Sequence, residues 1–334
     1  MMEAIDPNDK RVIDGKTDVN QLMPFKYHWA WRDFLDAQKN HWTPLDISMS
    51  DDIADYPKLS PDEKHIYDNV MATLSTMDIM AMRNIGLAVM EKITAPEIQI
   101  YMGRQVDEEC IHTWAYSHCI ETLNLPQYEI YNRYRVVPEI RQKMEMAKSM
   151  LDPICDTSLD TMKEDDLCQF LLSYMFFAGI FEGMWFYGGF TPIFALSRIG
   201  KMRRTAEQLQ YIMRDEAFHV AFGMRTIRTI MEEKDYRPPE EMVQKMFIKS
   251  YQAEAIYADY ILQNPILGYN ADMHKGQIRY LGNRRLKQLG YNPIDNAPNT
   301  VPWLDEQVNI KKEKNFFETK VTEYQSGSAL MWEE

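Results

Sequence analysis

The chain has 334 residues, of which 37 are Lys or Arg and 50 are Asp or Glu, giving a formal charge of −13 at pH 7 that argues against a basic nucleic-acid-binding surface. With 45% hydrophobic and 12% aromatic residues and only 14 Gly and 16 Pro, it is globular in composition, neither disordered nor collagenous, and long enough for one large domain or two medium ones. Cys110, Cys119, Cys155 and Cys168 form no C-x-x-C pair, and the N-terminal MMEAIDPNDKRV lacks the apolar stretch of a signal peptide, so the expected compartment is the cytoplasm.

Apolar residues recurring at three and four positions predict helix along most of the chain, with little strand-like alternation. A short helix is predicted over about 24–39, followed by the loop His41-Trp42-Thr43-Pro44. Ser60-Pro61-Asp62-Glu63 then supplies a serine N-cap, proline at the first helical position and acids in the first turn, opening a helix that runs to about Met90. Thr94-Ala95-Pro96-Glu97 starts the next, to about Leu123, and shorter helices follow over about 127–151. An acidic start from Thr161 to Asp166 leads into an apolar helix, and a long helix over about 201–233 ends at Asp235 to Pro239. Two more are predicted over about 240–263 and 271–289, after which Pro293, Pro298 and Pro302 break regularity and Asn315 to Glu334 reads as a mobile tail.

The apolar helix needs a decision, because Phe170 to Leu196 is 27 residues with one formal charge, Glu182, and could in principle cross a bilayer. Glu182 near its middle, the interruptions at Gly188, Gly189 and Pro192, and the lack of a second such segment favour a helix surrounded by other helices. No membrane association is therefore expected. Glu182 then sits in a dry interior, where an acid must be neutral, paired or bound to a metal.

One short pattern occurs twice. Asp107-Glu108-Glu109-Cys110-Ile111-His112 and Arg214-Asp215-Glu216-Ala217-Phe218-His219 each place Glu-x-x-His in the middle of a long predicted helix. A Glu three residues before a His projects from the same face, about 60° away, so the pair can hold one metal ion. Asp78 precedes Glu109 by 31 residues and Glu182 precedes Glu216 by 34, intervals that suit neighbouring antiparallel helices and bring each earlier acid level with a Glu-x-x-His. Four carboxylates and two imidazoles from four helices predict an all-α, ferritin-like bundle with a buried dinuclear metal site. Oxygen donors with two imidazoles suit iron or manganese, and four carboxylates neutralise two divalent ions. The 24 methionines read as core filler, and no Gly-rich phosphate loop is present.

Over nearly its whole length the chain resembles the small, radical-generating subunit of class I ribonucleotide reductase. The resemblance rests on Trp42 in His-Trp-Thr-Pro, Glu63-Lys64-His65-Ile66, Asp78, Glu109-x-x-His112, Glu182, Arg214-Asp215-Glu216-x-x-His219, Asn315-Phe316-Phe317-Glu318 and Glu323-Tyr324-Gln325. It implies that Asp78, Glu109 and His112 bind one metal and Glu182, Glu216 and His219 the other, with two iron ions expected and Mn/Mn or Mn/Fe as alternatives. Tyr116, four residues after His112 on the same face, matches the tyrosine oxidised in tyrosyl-radical members. A related branch carries phenylalanine there and uses a manganese–iron centre. Trp42 and Asp215 match the family's radical relay, and Tyr324 the tail tyrosine that passes the radical on. The resemblance further implies a homodimer, a large-subunit partner bound through the C-terminal tail, and activation in some members by a flavoprotein. The expected organisation is an N-terminal extension over 1–25, a ferritin-like domain over 26–309 and a docking tail over 310–334. The activity expected is ribonucleoside-diphosphate reductase, and the competing reading is a stand-alone ferritin-like dimetal oxidase or hydroxylase using the same six ligands. Phe186 and Phe190, four and eight residues after Glu182, are candidates for a dry aromatic shell around the radical.

Overall fold

The computed structural model describes residues 6–14 and 18–305, and among these every regular element is helical, apart from one isolated bridge between Ile266 and Tyr269. The expected extension and the docking tail, with Tyr324, therefore lie wholly or partly outside the described residues. The helices are α1 His28–Ala37, α2 Ser50–Asp55, α3 Pro61–Asn84, α4 Met90–Lys92, α5 Pro96–Thr122, α6 Gln127–Val136, α7 Pro138–Leu151, α8 Glu164–Met175, α9 Tyr187–Arg198, α10 Arg203–Lys234, α11 Glu240–Ile261 and α12 Ala271–Gln288. The sequence-based boundaries agree to within a few residues, and capping residues or a first-turn proline mark the starts of α3, α5, α7 and α12. Ser60 starts α3 with a capping box: its Oγ accepts from the Glu63 amide at 3.2 Å while a Glu63 carboxylate oxygen accepts from the Ser60 amide at 2.8 Å. Asp52 of α2 caps α10 from a distance, accepting from the amides of Arg204 and Thr205 at 2.9 and 2.7 Å.

Besides the short 3₁₀ turns Pro44–Asp46, Tyr56–Lys58 and Asp152–Cys155, two longer stretches among the described residues depart from plain α-helix. Ile85–Val89 and the longer Phe176–Phe186 are π-helical, and the second joins α8 to α9 as one continuous helical run with Glu182 inside it. Period-based reading predicts helix in both places but not the wider turn, since π insertions are set by packing and cluster at functional sites. The run Glu164–Arg198 is apolar enough to cross a membrane by composition, yet 89% of its apolar window is buried within the protein. Every residue from Phe170 to Leu196 except Leu172 and Tyr187 is at most 2% exposed where it is hydrophobic, and those two are at 8%. The expected core helix is what the fold contains.

The packing around this run is close. Gly223 of α10 faces the π-helical stretch, and a Cβ there would lie 2.6 Å from the Cβ of Ala178. Neither group is the end of a flexible side chain, so Gly223→Ala must push α10 away from the stretch that carries Glu182. The expected cost is about 1–3 kcal/mol of stability, the range for overpacking a tight core. Urea unfolding of the variant checks this, and a midpoint equal to wild type would mean that the two helices are not held together as tightly as the contact implies.

Candidate metal centre

Four elements supply the six side chains singled out by the sequence. Asp78 comes from α3, Glu109 and His112 from α5, Glu182 from the π-helical stretch, and Glu216 and His219 from α10; all six are fully buried. Their donor atoms fall into two overlapping groups: Asp78, Glu109, His112 and Glu216 form one, and Glu109, Glu182, Glu216 and His219 the other, with the atoms of each group within 4.8 Å of one another. Resemblance divides the ligands three and three, whereas the geometry makes Glu109 and Glu216 common to both groups. Two ions held by these groups would each have Glu109 and Glu216 within reach.

The two imidazoles are turned the same way. His112 Nδ1 lies 3.5 Å from Asp78, 3.4 Å from Glu109 and 3.2 Å from Glu216, and His219 Nδ1 lies 3.3 Å from both Glu109 and Glu216. Each Nε2 points outward to a different acid. That of His112 is 3.4 Å from Asp215 Oδ2, and that of His219 is 2.8 Å from Glu108 Oε2. An outer acid on the far ring nitrogen fixes the orientation of a ligand imidazole. Asp215 also accepts a hydrogen bond from Trp42 Nε1 at 2.8 Å and is held by Arg214. Trp42 in turn stacks on Tyr211 at 5.2 Å.

Charge in this interior is far out of balance. Burial pushes the carboxyls of Asp78 and Glu182 well above the usual range, despite the His112 imidazole 3.5 Å from the first and, at the second, the nearby His219 imidazole and a hydrogen bond from Gln105. Burial also opposes ionisation of Glu109, yet the two imidazoles beside it, at 3.4 and 3.3 Å, outweigh it and hold this carboxyl low. The imidazoles are raised well above their ordinary value because the surrounding carboxylates overcome the effect of burial. Several polar atoms that could ligate a metal lie in the cluster with no hydrogen-bond partner, namely both oxygens of Asp78 and Glu109, one each of Glu182 and Glu216, and Nδ1 of His112. Such orphaned groups are expensive unless cations satisfy them. The residues therefore fit two divalent ions with oxygen and imidazole ligands.

Tyr116 lies where the helix face predicts, 1% exposed, with its hydroxyl buried and free of hydrogen bonds. Burial first, and then the charges of Asp78, Glu216 and Glu109, raise its pKa well above the ordinary tyrosine value. Phe186 and Phe190 are both fully buried and stack on each other at 6.0 Å. Two neighbours escaped sequence reading. Gln105 donates to Glu182 Oε1 at 2.6 Å, and Glu108 links His219 to Arg104, whose Nε is 3.1 Å away. Gln105 carries a usable signal, lying four residues before Glu109 on one face, but Glu108 points to a different side from its ligand neighbour and is recognisable only once α10 is docked. His274, unassigned by spacing, pairs with Glu254 at 2.9 Å across α11 and α12 in a separate buried cluster.

Comparison with known proteins gives the family and the fold. The family described as ribonucleotide reductase, small chain, matches residues 19–302. The chain is 34% identical to the ribonucleoside-diphosphate reductase subunit beta of Chlamydia pneumoniae, over 99% of this chain and 97% of that one. It is 28% identical to the subunit of the same name from Treponema pallidum, over 98% and 94%. Among solved structures, the ribonucleotide reductase R2 subunit from Clostridium botulinum superposes with a TM-score of 0.80 at 27% identity, covering 90% of this chain and 94% of that one.

Proposed function

The chain belongs to the ribonucleotide reductase small-chain family, and from that premise we propose that its buried cluster holds two metal ions and that Tyr116 carries the oxidising equivalent they generate. The protein is a ribonucleoside-diphosphate reductase small subunit and acts together with a large subunit. In this reading Asp78, Glu109, His112 and Glu216 surround one ion, and Glu109, Glu182, Glu216 and His219 the other. The observation that carries it is the set of buried, unpartnered donor atoms converging from four helices. Bound ions would supply the one-electron redox chemistry, with dioxygen or a related oxidant, needed to oxidise a phenol.

The chain's own residues do the rest. Asp215 and Glu108 hold the two imidazoles with Nδ1 turned inward. Burial keeps the Tyr116 phenol protonated at neutral pH, so loss of its electron must be accompanied by loss of its proton. Exclusion of water from the surrounding core slows quenching. The Trp42–Asp215–His112 line of contacts gives the oxidising equivalent a way out toward the large subunit. The reading extends to a diiron centre, with Mn/Mn or Mn/Fe as the other compositions, a cytoplasmic homodimer, docking through the C-terminal tail bearing Tyr324, and a flavoprotein activator if the centre is dimanganese.

The test is reconstitution of metal-free protein with Fe(II), Mn(II) or both, followed by metal analysis, paramagnetic resonance and assay with the large subunit. Two ions per chain and a tyrosyl signal that Tyr116→Phe abolishes are expected. A tyrosyl signal unchanged in Tyr116→Phe would move the radical to another residue.

A further inference from the structure

π-Helix is rare and occurs mostly as single-turn bulges inside α-helices, so an 11-residue stretch of it needs support from outside. Arg285 of α12 gives that support beside Glu182. Its guanidinium, on a residue 6% exposed, donates from Nε to the carbonyl oxygen of Gly183 at 3.1 Å and from Nη1 to Gln288 Oε1 at 2.8 Å. The same group lies over the Tyr187 ring at 5.6 Å. Gly183 makes the approach possible, for a Cβ there would come within 2.8 Å of Arg285 Nε and 3.1 Å of its Cδ.

Among the described residues no carboxylate pairs with this cation. Burial draws the guanidinium down to about 10, which leaves it charged at neutral pH. A buried, unpaired charge is costly, and an apolar side chain of similar length would fill the same space without that cost. What the apolar side chain would lose is the hydrogen bond to the backbone next to Glu182. A second cluster braces the far end of the stretch independently. Lys143 Nζ lies 2.6 Å from Glu254 and 4.9 Å from the centre of the Trp185 ring, and Glu254 sits where a Cβ on Gly188 would be 2.8 Å from its Oε1. The run is thus anchored at Gly183 by one group and at Trp185 and Gly188 by another.

We infer that Arg285 is a positioning residue for Glu182: by fixing the Gly183 carbonyl it sets the register of the π-helical stretch and aims the Glu182 carboxylate at the group it shares with Glu109, Glu216 and His219. The inference rests on the two-ion reading above.

Mn(II) titrated anaerobically into metal-free, full-length protein provides the test, with free Mn(II) followed by paramagnetic resonance. In Arg285→Met one ion should bind with wild-type affinity, while the other weakens about tenfold or more, the scale on which residues outside the ligand set act. Arg285→Lys, whose ammonium can donate to the same carbonyl, should stay within about threefold of wild type for both ions. Gly183→Ala, which drives a Cβ into the guanidinium, should reproduce the selective loss and carries the test if Arg285→Met does not fold. Amide hydrogen exchange of metal-free protein separates this inference from the two-ion reading, because it needs no ion. The amides from Gly183 to Gly188 should lose protection in Arg285→Met relative to the rest of the core. Unchanged protection there, or an equal weakening of both ions, would overturn the positioning role and leave Arg285 a packing residue.

Discussion

Glu109→Gln is expected to cost the protein both metal ions, whereas Asp78→Asn should cost it one. The difference follows from the overlap of the two donor groups: Glu109 belongs to both, and Asp78 to one. Glutamine keeps the shape of the side chain but removes the charge and one acceptor oxygen, so each ion of the proposed pair loses a ligand. Changes outside a ligand set already cost 10- to 100-fold in affinity, so loss of a shared ligand should weaken both ions by roughly 100-fold or more. Metal analysis after reconstitution and gel filtration should give two ions per chain for wild type, about one for Asp78→Asn and close to none for Glu109→Gln. Thermal unfolding gives a second readout, because ligands that bind only the folded state stabilise it, by about 2.7 kcal/mol at a hundredfold excess over Kd. Addition of Mn(II) should therefore raise the melting temperature of wild type but not of Glu109→Gln. Two tightly bound ions in Glu109→Gln would show that the carboxylate is not shared.

Trp42→Phe should separate formation of the radical from its use. The substitution keeps an aromatic ring 6% exposed against Tyr211 and removes the Nε1 donor that Asp215 Oδ2 accepts at 2.8 Å. Asp215 remains held by Arg214 and within 3.4 Å of His112, so the imidazole stays oriented and the metal-binding groups are untouched. Metal content and the Tyr116 signal are expected to match wild type. Turnover with the large subunit should fall by roughly 100-fold or more, the scale on which loss of one correctly placed group slows a reaction. Wild-type turnover in Trp42→Phe would remove the indole from the transfer route and direct attention to other contacts of Asp215.

How legible these residues are depends on the range over which their positions are fixed. Glu109, His112 and Tyr116 can be read together because three- and four-residue steps on one helix impose a common face, whatever the rest of the protein does. Ser60 with Glu63 is equally local, and its capping box forms as the sequence predicts. Glu182 announces itself by burial alone, as a lone acid in a segment otherwise free of charge. The relay is different in kind. Trp42 and Asp215 are 173 residues apart, and no period relates an indole in a loop to a carboxylate in the middle of α10, so only family resemblance suggests the pairing before the fold is in hand.

By itself, then, the sequence determined the helical class, the caps, the buried run around Glu182 and the six metal-binding candidates, because each follows from short-range periodicity or from the cost of placing charge among apolar neighbours. Tertiary structure decided which acids stand between the two imidazoles, and so made Glu109 and Glu216 common to both groups. It also converted the middle of the run into π-helix, gave Gln105 and Glu108 their partners, and brought Arg285 to the carbonyl of Gly183, 102 residues away in the chain. These features depend on how helices dock, and docking is settled by side-chain volumes and by the small gaps at Gly183, Gly188 and Gly223, which carry no periodic signal.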